Sequence, residues 1–100
     1  MMCGTTPTHV FTLPFDVSII KEVRIVYAQN KEPVVIKNTP DCTLNGNEVT
    51  VKLTQKDTLS FDYRKTVEVQ VRVLTQENES LVSAIKAITV GRCLDNGVIG

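Results

Sequence analysis

Three cysteines and a single histidine are the residues of this sequence best suited to act as nucleophiles or soft metal ligands. They are Cys3, Cys42, Cys93 and His9. No Cys-x-x-Cys spacing occurs, so a zinc site would need single ligands from distant segments. We expect reduced cysteines, while a Cys3–Cys93 pair that joins the two ends stays open. No acidic residue follows or precedes His9 closely enough to orient its imidazole, so we expect a surface or edge histidine.

Acidic residues form three weak clusters. Asp57 and Asp62 are five positions apart, but both lie in predicted turns, where aspartate is favoured as a cap. Glu77 and Glu79 flank an expected hairpin tip, and the 95–97 segment is similar; neither has the oxygen-rich spacing of a calcium loop. The five glycines form no phosphate-binding pattern, and no serine lies in a nucleophile elbow. We therefore expect no enzyme activity, no catalytic residue, no metal site and no cofactor.

The overall composition argues against a nucleic-acid-binding protein, a membrane-spanning helix and a disordered chain. Eleven basic and eleven acidic residues in 100 give a net charge of zero, with no basic cluster of the kind that nucleic acid requires. No apolar run approaches the ~20 residues of a membrane helix. A 42% hydrophobic content is too high for a disordered chain. We expect one domain over residues 1–100, with 1–7 and 93–100 as terminal segments.

The elements that must position these residues are strands. Val, Ile and Thr supply 15, 7 and 12 residues, against three Ala, and β-branched side chains favour pleated sheets. Residues 66–75 alternate strictly, with valine at every second position, which is typical of an antiparallel sheet with one buried face. Asn45-Gly46 predicts a type I′ hairpin. Thr54-Gln55-Lys56-Asp57 resembles a capping box and predicts a short helical turn, which would cross between two sheets.

The segment from Leu81 to Val90 is ambiguous. Its apolar residues fit both helical and strand spacing, and pairing with the valine-rich strand favours a strand, with a bulge near residues 84–86. The whole sequence thus contains about seven short predicted strands. This number predicts an all-β, immunoglobulin-like antiparallel sandwich with one helical turn. A closed barrel is the alternative.

Three stretches carry a resemblance to known proteins. They are residues 4–13, the run Val49–Phe61, and Val67–Thr75 with its return strand. This pattern resembles small prophage-encoded proteins of Firmicutes and the N-terminal β-sandwich of upper baseplate or fibre-anchoring proteins in siphophage tails. Residues 67–90 also resemble the last hairpin of fibronectin type III and immunoglobulin-like domains. The resemblance covers most of residues 4–92, and its motifs are turns and alternation.

The resemblance implies a virion- or tail-associated structural module that works by oligomerisation and by contact with other phage proteins. No signal-peptide segment follows Met1, so we expect the protein in the host cytoplasm until assembly and in the virion afterwards. The partners expected are other phage structural proteins or further copies of the chain, with no nucleic acid and no membrane. The partner contacts expected on the terminal segments and an open edge are Thr6, Pro7, Thr8, His9, Leu94, Val98 and Ile99.

Two alternatives remain open at the level of sequence. A carbohydrate-binding or adhesion sandwich would need exposed aromatic side chains, and the chain offers Tyr27 and Tyr63 but no tryptophan. A small regulator that binds a host protein would need no such platform.

Overall fold

Two antiparallel sheets pack face to face around a core rich in valine. The computed structural model describes residues 1–83, 86–91 and 99. Within them lie the strands β1 (Thr8–Thr12), β2 (Ile20–Gln29), β3 (Glu32–Asn38), β4 (Cys42–Asn45), β5 (Glu48–Lys52), β6 (Val67–Thr75), β7 (Ser80–Val82) and β8 (Lys86–Ile88). One α-helix, α1 (Gln55–Leu59), and 3-10 helices at Val17–Ile19 and Thr39–Asp41 complete the described elements.

The strand order is that of an immunoglobulin-like sandwich. One sheet has the order β1-β5-β4, and the other has the order β3-β2-β6-β7, with β8 also paired to β6. In immunoglobulin domains strands B, E and D share one sheet and C, F and G the other, with C′ beside C in the variable type. Strands β1 to β7 match B, C, C′, D, E, F and G in chain order. The predicted fold class is confirmed.

Strands β2 and β6, at the centre of the larger sheet, show how alternation of apolar residues determines which side chains are buried. Strand β6 runs antiparallel to β2, and its four alternate valines are at most 4% exposed. These valines are Val67, Val69, Val71 and Val73. The intervening side chains of β6 lie on the outer face and are half-buried or exposed. A shift of one residue would exchange the two sets, so burial of one face fixes the register.

The return segment pairs with β6 in two pieces. Strand β7 pairs with the half of β6 that contains Arg72 to Leu74, and β8 pairs with the half that contains Val67 to Val69. The strand prediction is confirmed, and the described strands number eight rather than seven because the return is divided. The predicted bulge falls largely on residues 84 and 85, which lie outside the described residues.

The β4–β5 hairpin is confirmed, but its predicted turn type is wrong. Asn45 pairs with Glu48, so the two loop residues are Gly46 and Asn47, and of the two only Gly46 has a positive φ, of 61°. A type I′ turn requires positive φ at both central residues. That pattern instead occurs between β2 and β3, where Asn30 and Lys31 have φ values of 51° and 66°.

The predicted capping box begins α1. The Thr54 hydroxyl accepts a hydrogen bond from the Asp57 amide at 3.1 Å, and the Asp57 carboxylate accepts one from the Thr54 amide at 2.8 Å. The helix connects β5 of the smaller sheet to β6 of the larger one, as expected. Phe61, just beyond it, is buried in the core.

The N-terminal residues lie beside the end of the last described strand. Met2 and Gly91 form a parallel bridge, and the Gly91 amide donates to the Met1 carbonyl at 2.7 Å. Cys3 is disulfide-bonded, whereas Cys42 is free. The expectation of reduced cysteines is therefore confirmed for Cys42 and wrong for Cys3. Cys93, the partner that the sequence left open, lies outside the described residues.

Candidate functional site

Five titratable side chains from five elements converge at one side of the space between the two sheets. They are His9 of β1, Tyr27 of β2, Lys37 of β3, Cys42 of β4 and Asp57 of α1, and we call them the inter-sheet cluster. His9 and Cys42 both lie opposite Val51, so they occupy one row across the smaller sheet. Tyr27 belongs to the larger sheet and is fully buried.

The contact between His9 and Tyr27 links the two sheets. His9 Nδ1 and the Tyr27 hydroxyl share a hydrogen bond of 2.7 Å, and the two rings lie 5.6 Å apart. Phe61 also packs against the Tyr27 ring, with centroids 6.1 Å apart. Antibody domains carry their buried core tryptophan on strand C; here β2 is the matching strand, and Tyr27 is its largest fully buried residue.

The predicted surface or edge histidine is only partly right. Strand β1 is an edge strand of its sheet, but the His9 side chain is half-buried and engaged with Tyr27. The sequence contains the signal for this position, because alternation places His9 on the same face of its strand as Phe11 and Leu13, both of which are buried.

Lys37 and Asp57 form the charged part of the cluster. Lys37 Nζ lies 2.7 Å from Asp57 Oδ2, and the two side chains are only 15% and 18% exposed. Burial would raise the pKa of Asp57, but hydrogen bonds from Lys37 and from Thr54 outweigh it and hold the pKa below its usual value. The carboxylate thus joins β3 of the larger sheet to the helix that follows the smaller one.

The remaining three groups of the cluster are held in their neutral forms. Burial, with Cys42 and Asp57 nearby, raises the pKa of Tyr27 far above its usual value. Burial and Asp41 raise the pKa of the Cys42 thiol, which Lys37 lowers only in part. Burial and the N-terminal amino group lower the pKa of His9. A nucleophilic cysteine needs a depressed pKa, so this arrangement suits hydrogen bonding better than nucleophilic attack.

The structure separates the other acidic candidates. Asp57 belongs to the capping box and the Lys37 pair, whereas Asp62 binds the guanidinium of Arg64, two residues further along the chain. Hydrogen bonds from Arg64 lower the pKa of Asp62. Glu77 and Glu79 are exposed between β6 and β7. Across residues 1–83, 86–91 and 99, no three Cys, His, Asp or Glu side chains are grouped closely enough to hold a metal ion.

The terminal contact residues fall partly outside the described chain. Thr6 and Thr8 are exposed and Pro7 is half-buried, while Leu94 and Val98 lie outside the described residues. The Ile99 side chain is 79% exposed, and its main chain is held by the Gln55 side chain through two hydrogen bonds of 2.8 Å. Ile99 and Thr6 line the same shallow cleft. We call Thr6, Thr8 and Ile99 the terminal surface.

Sequence reasoning missed Tyr27, Lys37 and Cys42 as members of one site. The alternation of each strand indicates that these side chains point toward the core, but it does not indicate which strands pair and so bring five elements together.

Within the described residues, no helix has the length and apolarity needed to cross a membrane. In comparisons with known proteins, no family model, no curated protein and no solved structure matches this chain.

Proposed function

We propose that the protein is a non-enzymatic structural or interaction module that acts by associating with other protein chains, either further copies of itself or other phage structural proteins. The observation that carries the proposal is an apolar patch on β3, an outermost strand of the larger sheet. Val34 and Ile36 lie on its outer face and are 36% and 46% exposed. Val26 lies opposite Ile36 on β2 and continues the patch. We call these three residues the β3 patch.

The electrostatics of the inter-sheet cluster support a role without catalysis. A cysteine protease-like mechanism needs a thiolate and a histidine that takes its proton. Here the pKa of Cys42 is raised and the pKa of His9 is lowered, so the thiol keeps its proton and the imidazole is neutral. The cluster is better suited to joining the two sheets into a rigid frame that presents its outer faces.

The terminal surface is a second contact region in this proposal. Thr6, Thr8 and the Ile99 side chain are exposed there, and β1 has an unpaired edge within the described sheet. The phage virion or tail, as the setting, rests on the resemblance of residues 4–92 described above. Detection of the protein in purified particles by mass spectrometry tests that setting, and absence from the particles would contradict it.

Association is tested by sedimentation equilibrium over a wide range of protein concentration. We expect wild-type protein to self-associate or to co-sediment with particle proteins, and Ile36→Lys to abolish this by placing a charge in the β3 patch. Thr43→Lys is the matched control, because Thr43 is exposed on β4 and lies on the other sheet. A strictly monomeric wild type that also binds no particle protein would overturn the proposal, as would equal behaviour of the two lysine variants.

The carbohydrate-binding alternative is weakened by the position of the tyrosines. Tyr27 is fully buried, and Tyr63 is 47% exposed, so a sugar would find one tyrosine rather than a pair. Glycan binding by the wild type that is lost in Tyr63→Ala would favour this alternative. Capture of a host enzyme rather than particle proteins would favour the regulator.

A further inference from the structure

Two arginines lie directly opposite each other on the outer face of the larger sheet. Arg24 of β2 pairs with Arg72 of β6 in the antiparallel register, and both side chains are exposed. Opposed residues of an antiparallel pair have Cβ atoms only about 4.5–5.5 Å apart, and like charges at such positions are destabilising. The alternation of buried and exposed residues along β2 and β6 explains why the side chains at positions 24 and 72 point outward. It does not explain why both are cations.

Within the described residues, no carboxylate forms an ion pair with either arginine. The ion pairs among the described residues join Lys37 to Asp57 and Arg64 to Asp62. Arg24 Nε donates instead to the neutral Asn38 side chain, at 3.3 Å. Asn38 lies opposite Arg24 on β3, so it holds one nitrogen of that guanidinium and leaves the terminal nitrogens available.

The arginine pair lines an open cleft of about 720 Å³. Lys21 and Glu22, next to the irregularity in the pairing of β2 with β6, also line it, as does Ser80. Its charged side chains are three cations and one carboxylate, Glu22. The cleft therefore has a net positive charge in a protein whose overall charge is zero.

We propose that this cleft binds an oxyanion group, a carboxylate or a phosphate, between Arg24 and Arg72. The planar guanidinium presents its N–H groups in a fork that matches two oxygens of such a group. An anion between the arginines converts their mutual repulsion into two attractions, while Ser80 supplies a hydroxyl at the same cleft. Glu22 limits the affinity by repelling the same anion. This inference does not rest on the proposed function, because it concerns different residues and a different ligand. The cleft adjoins the β3 patch on the same outer face, since Arg24 pairs with Asn38 and Val26 pairs with Ile36.

The test is a titration followed by ¹H–¹⁵N NMR at constant ionic strength, with sodium phosphate and sodium acetate as separate probes and chloride as the reference. We expect saturable shifts of the amide signals of Glu22, Arg24 and Arg72 with one or both probes. Saturation by one probe alone identifies the oxyanion, and saturation by both shows that the cleft accepts a carboxylate and a phosphate. Shifts that grow linearly with both probes, without saturation, would overturn the proposal.

Variants distinguish a site from general screening of charge. Arg24→Gln and Arg72→Gln should each weaken binding about tenfold, the factor that one charge-assisted hydrogen bond supplies, and Glu22→Gln should tighten it. Lys56→Gln is the matched control, because it removes one exposed cation from α1 and should leave the affinity unchanged. Equal weakening by Lys56→Gln and Arg72→Gln, or no tightening in Glu22→Gln, would overturn the proposal. Sedimentation of the same variants reports on association separately.

Discussion

Replacing Lys37 by methionine should destabilise the protein, because it leaves the Asp57 carboxylate without its cation. The two charged atoms are 2.7 Å apart, and the side chains are only 15% and 18% exposed. Fully exposed pairs contribute about 0–1 kcal/mol, and removal of one partner from a fully buried pair costs about 3–5 kcal/mol. The Lys37–Asp57 pair lies between these limits, so we expect a loss of about 2 kcal/mol. For a domain of this size that corresponds to a fall in Tm of roughly 10 °C.

A double-mutant cycle measures the part of this loss that belongs to the pair. Asp57→Asn removes the charge and weakens the capping box, since Asp57 also accepts the Thr54 amide. Urea unfolding of wild type, both single variants and the Lys37→Met/Asp57→Asn double variant should give a coupling free energy of about 1 kcal/mol. A coupling of zero at low salt, or a Lys37→Met variant as stable as wild type, would refute the reasoning from burial and distance.

The pH dependence of the pair follows from the lowered pKa of Asp57. A depressed carboxyl pKa contributes stability above the unfolded pKa, and this contribution is lost as pH falls through the folded pKa. The wild type should therefore lose stability below about pH 4, the ordinary range of an aspartate, more steeply than Asp57→Asn. Equal acid sensitivity of the two proteins would contradict the assignment of this carboxylate as ionised and paired.

Three further predictions concern other residues of the frame. The pKa of His9 is lowered in the folded protein, so the contribution of His9 to stability is complete above its unfolded pKa near 6.5 and declines as pH falls toward the folded pKa. Urea midpoints measured from pH 7.5 to 5 should fall with pH for this reason in wild type, and His9→Gln should lose this part of the pH dependence. Gln29→Ala should cost about 2–3 kcal/mol, because this buried side chain makes three hydrogen bonds to the backbone of Asp62 and Lys65; an unchanged thermal midpoint would contradict that. Lys31→Gly should stabilise the β2–β3 hairpin by about 0.5–1 kcal/mol, because Lys31 has a positive φ of 66°; a lower Tm would show that the turn is not strained.

Local patterns were sufficient to predict the fold. The alternate valines of β6, the hairpin near Gly46 and the capping box at Thr54 each depend on neighbours within a few residues, and such signals are present in the sequence. The turn type failed because Asn45-Gly46 and Gly46-Asn47 differ by one residue of register. That register is set by the pairing of Asn45 with Glu48, which is a contact between two strands.

The sites were less accessible to prediction because they depend on pairings across the fold. Arg24 and Arg72 are 48 positions apart. Alternation along each strand is enough to put each arginine on an outer face, but it does not show that the two lie opposite each other. His9 and Cys42 share a row because both lie opposite Val51. Such pairings follow from the complete strand order, and loop closure over long separations leaves little local signal of them.

Lys37 also bears on how the proposed association would occur. An edge strand with exposed backbone groups invites further strands to pair with it, and natural sheets limit this with proline and inward-pointing charges. Strand β3 has both devices, Pro33 and the Lys37 side chain that turns inward to Asp57. Contacts through the side chains of the β3 patch are therefore favoured over extension of the sheet by another strand. Association through the β3 patch buries a defined surface and ends at a small oligomer, whereas pairing of edge strands can add further chains without limit. On this argument, the Lys37→Met variant should form larger and less defined oligomers than wild type in sedimentation, in addition to being less stable.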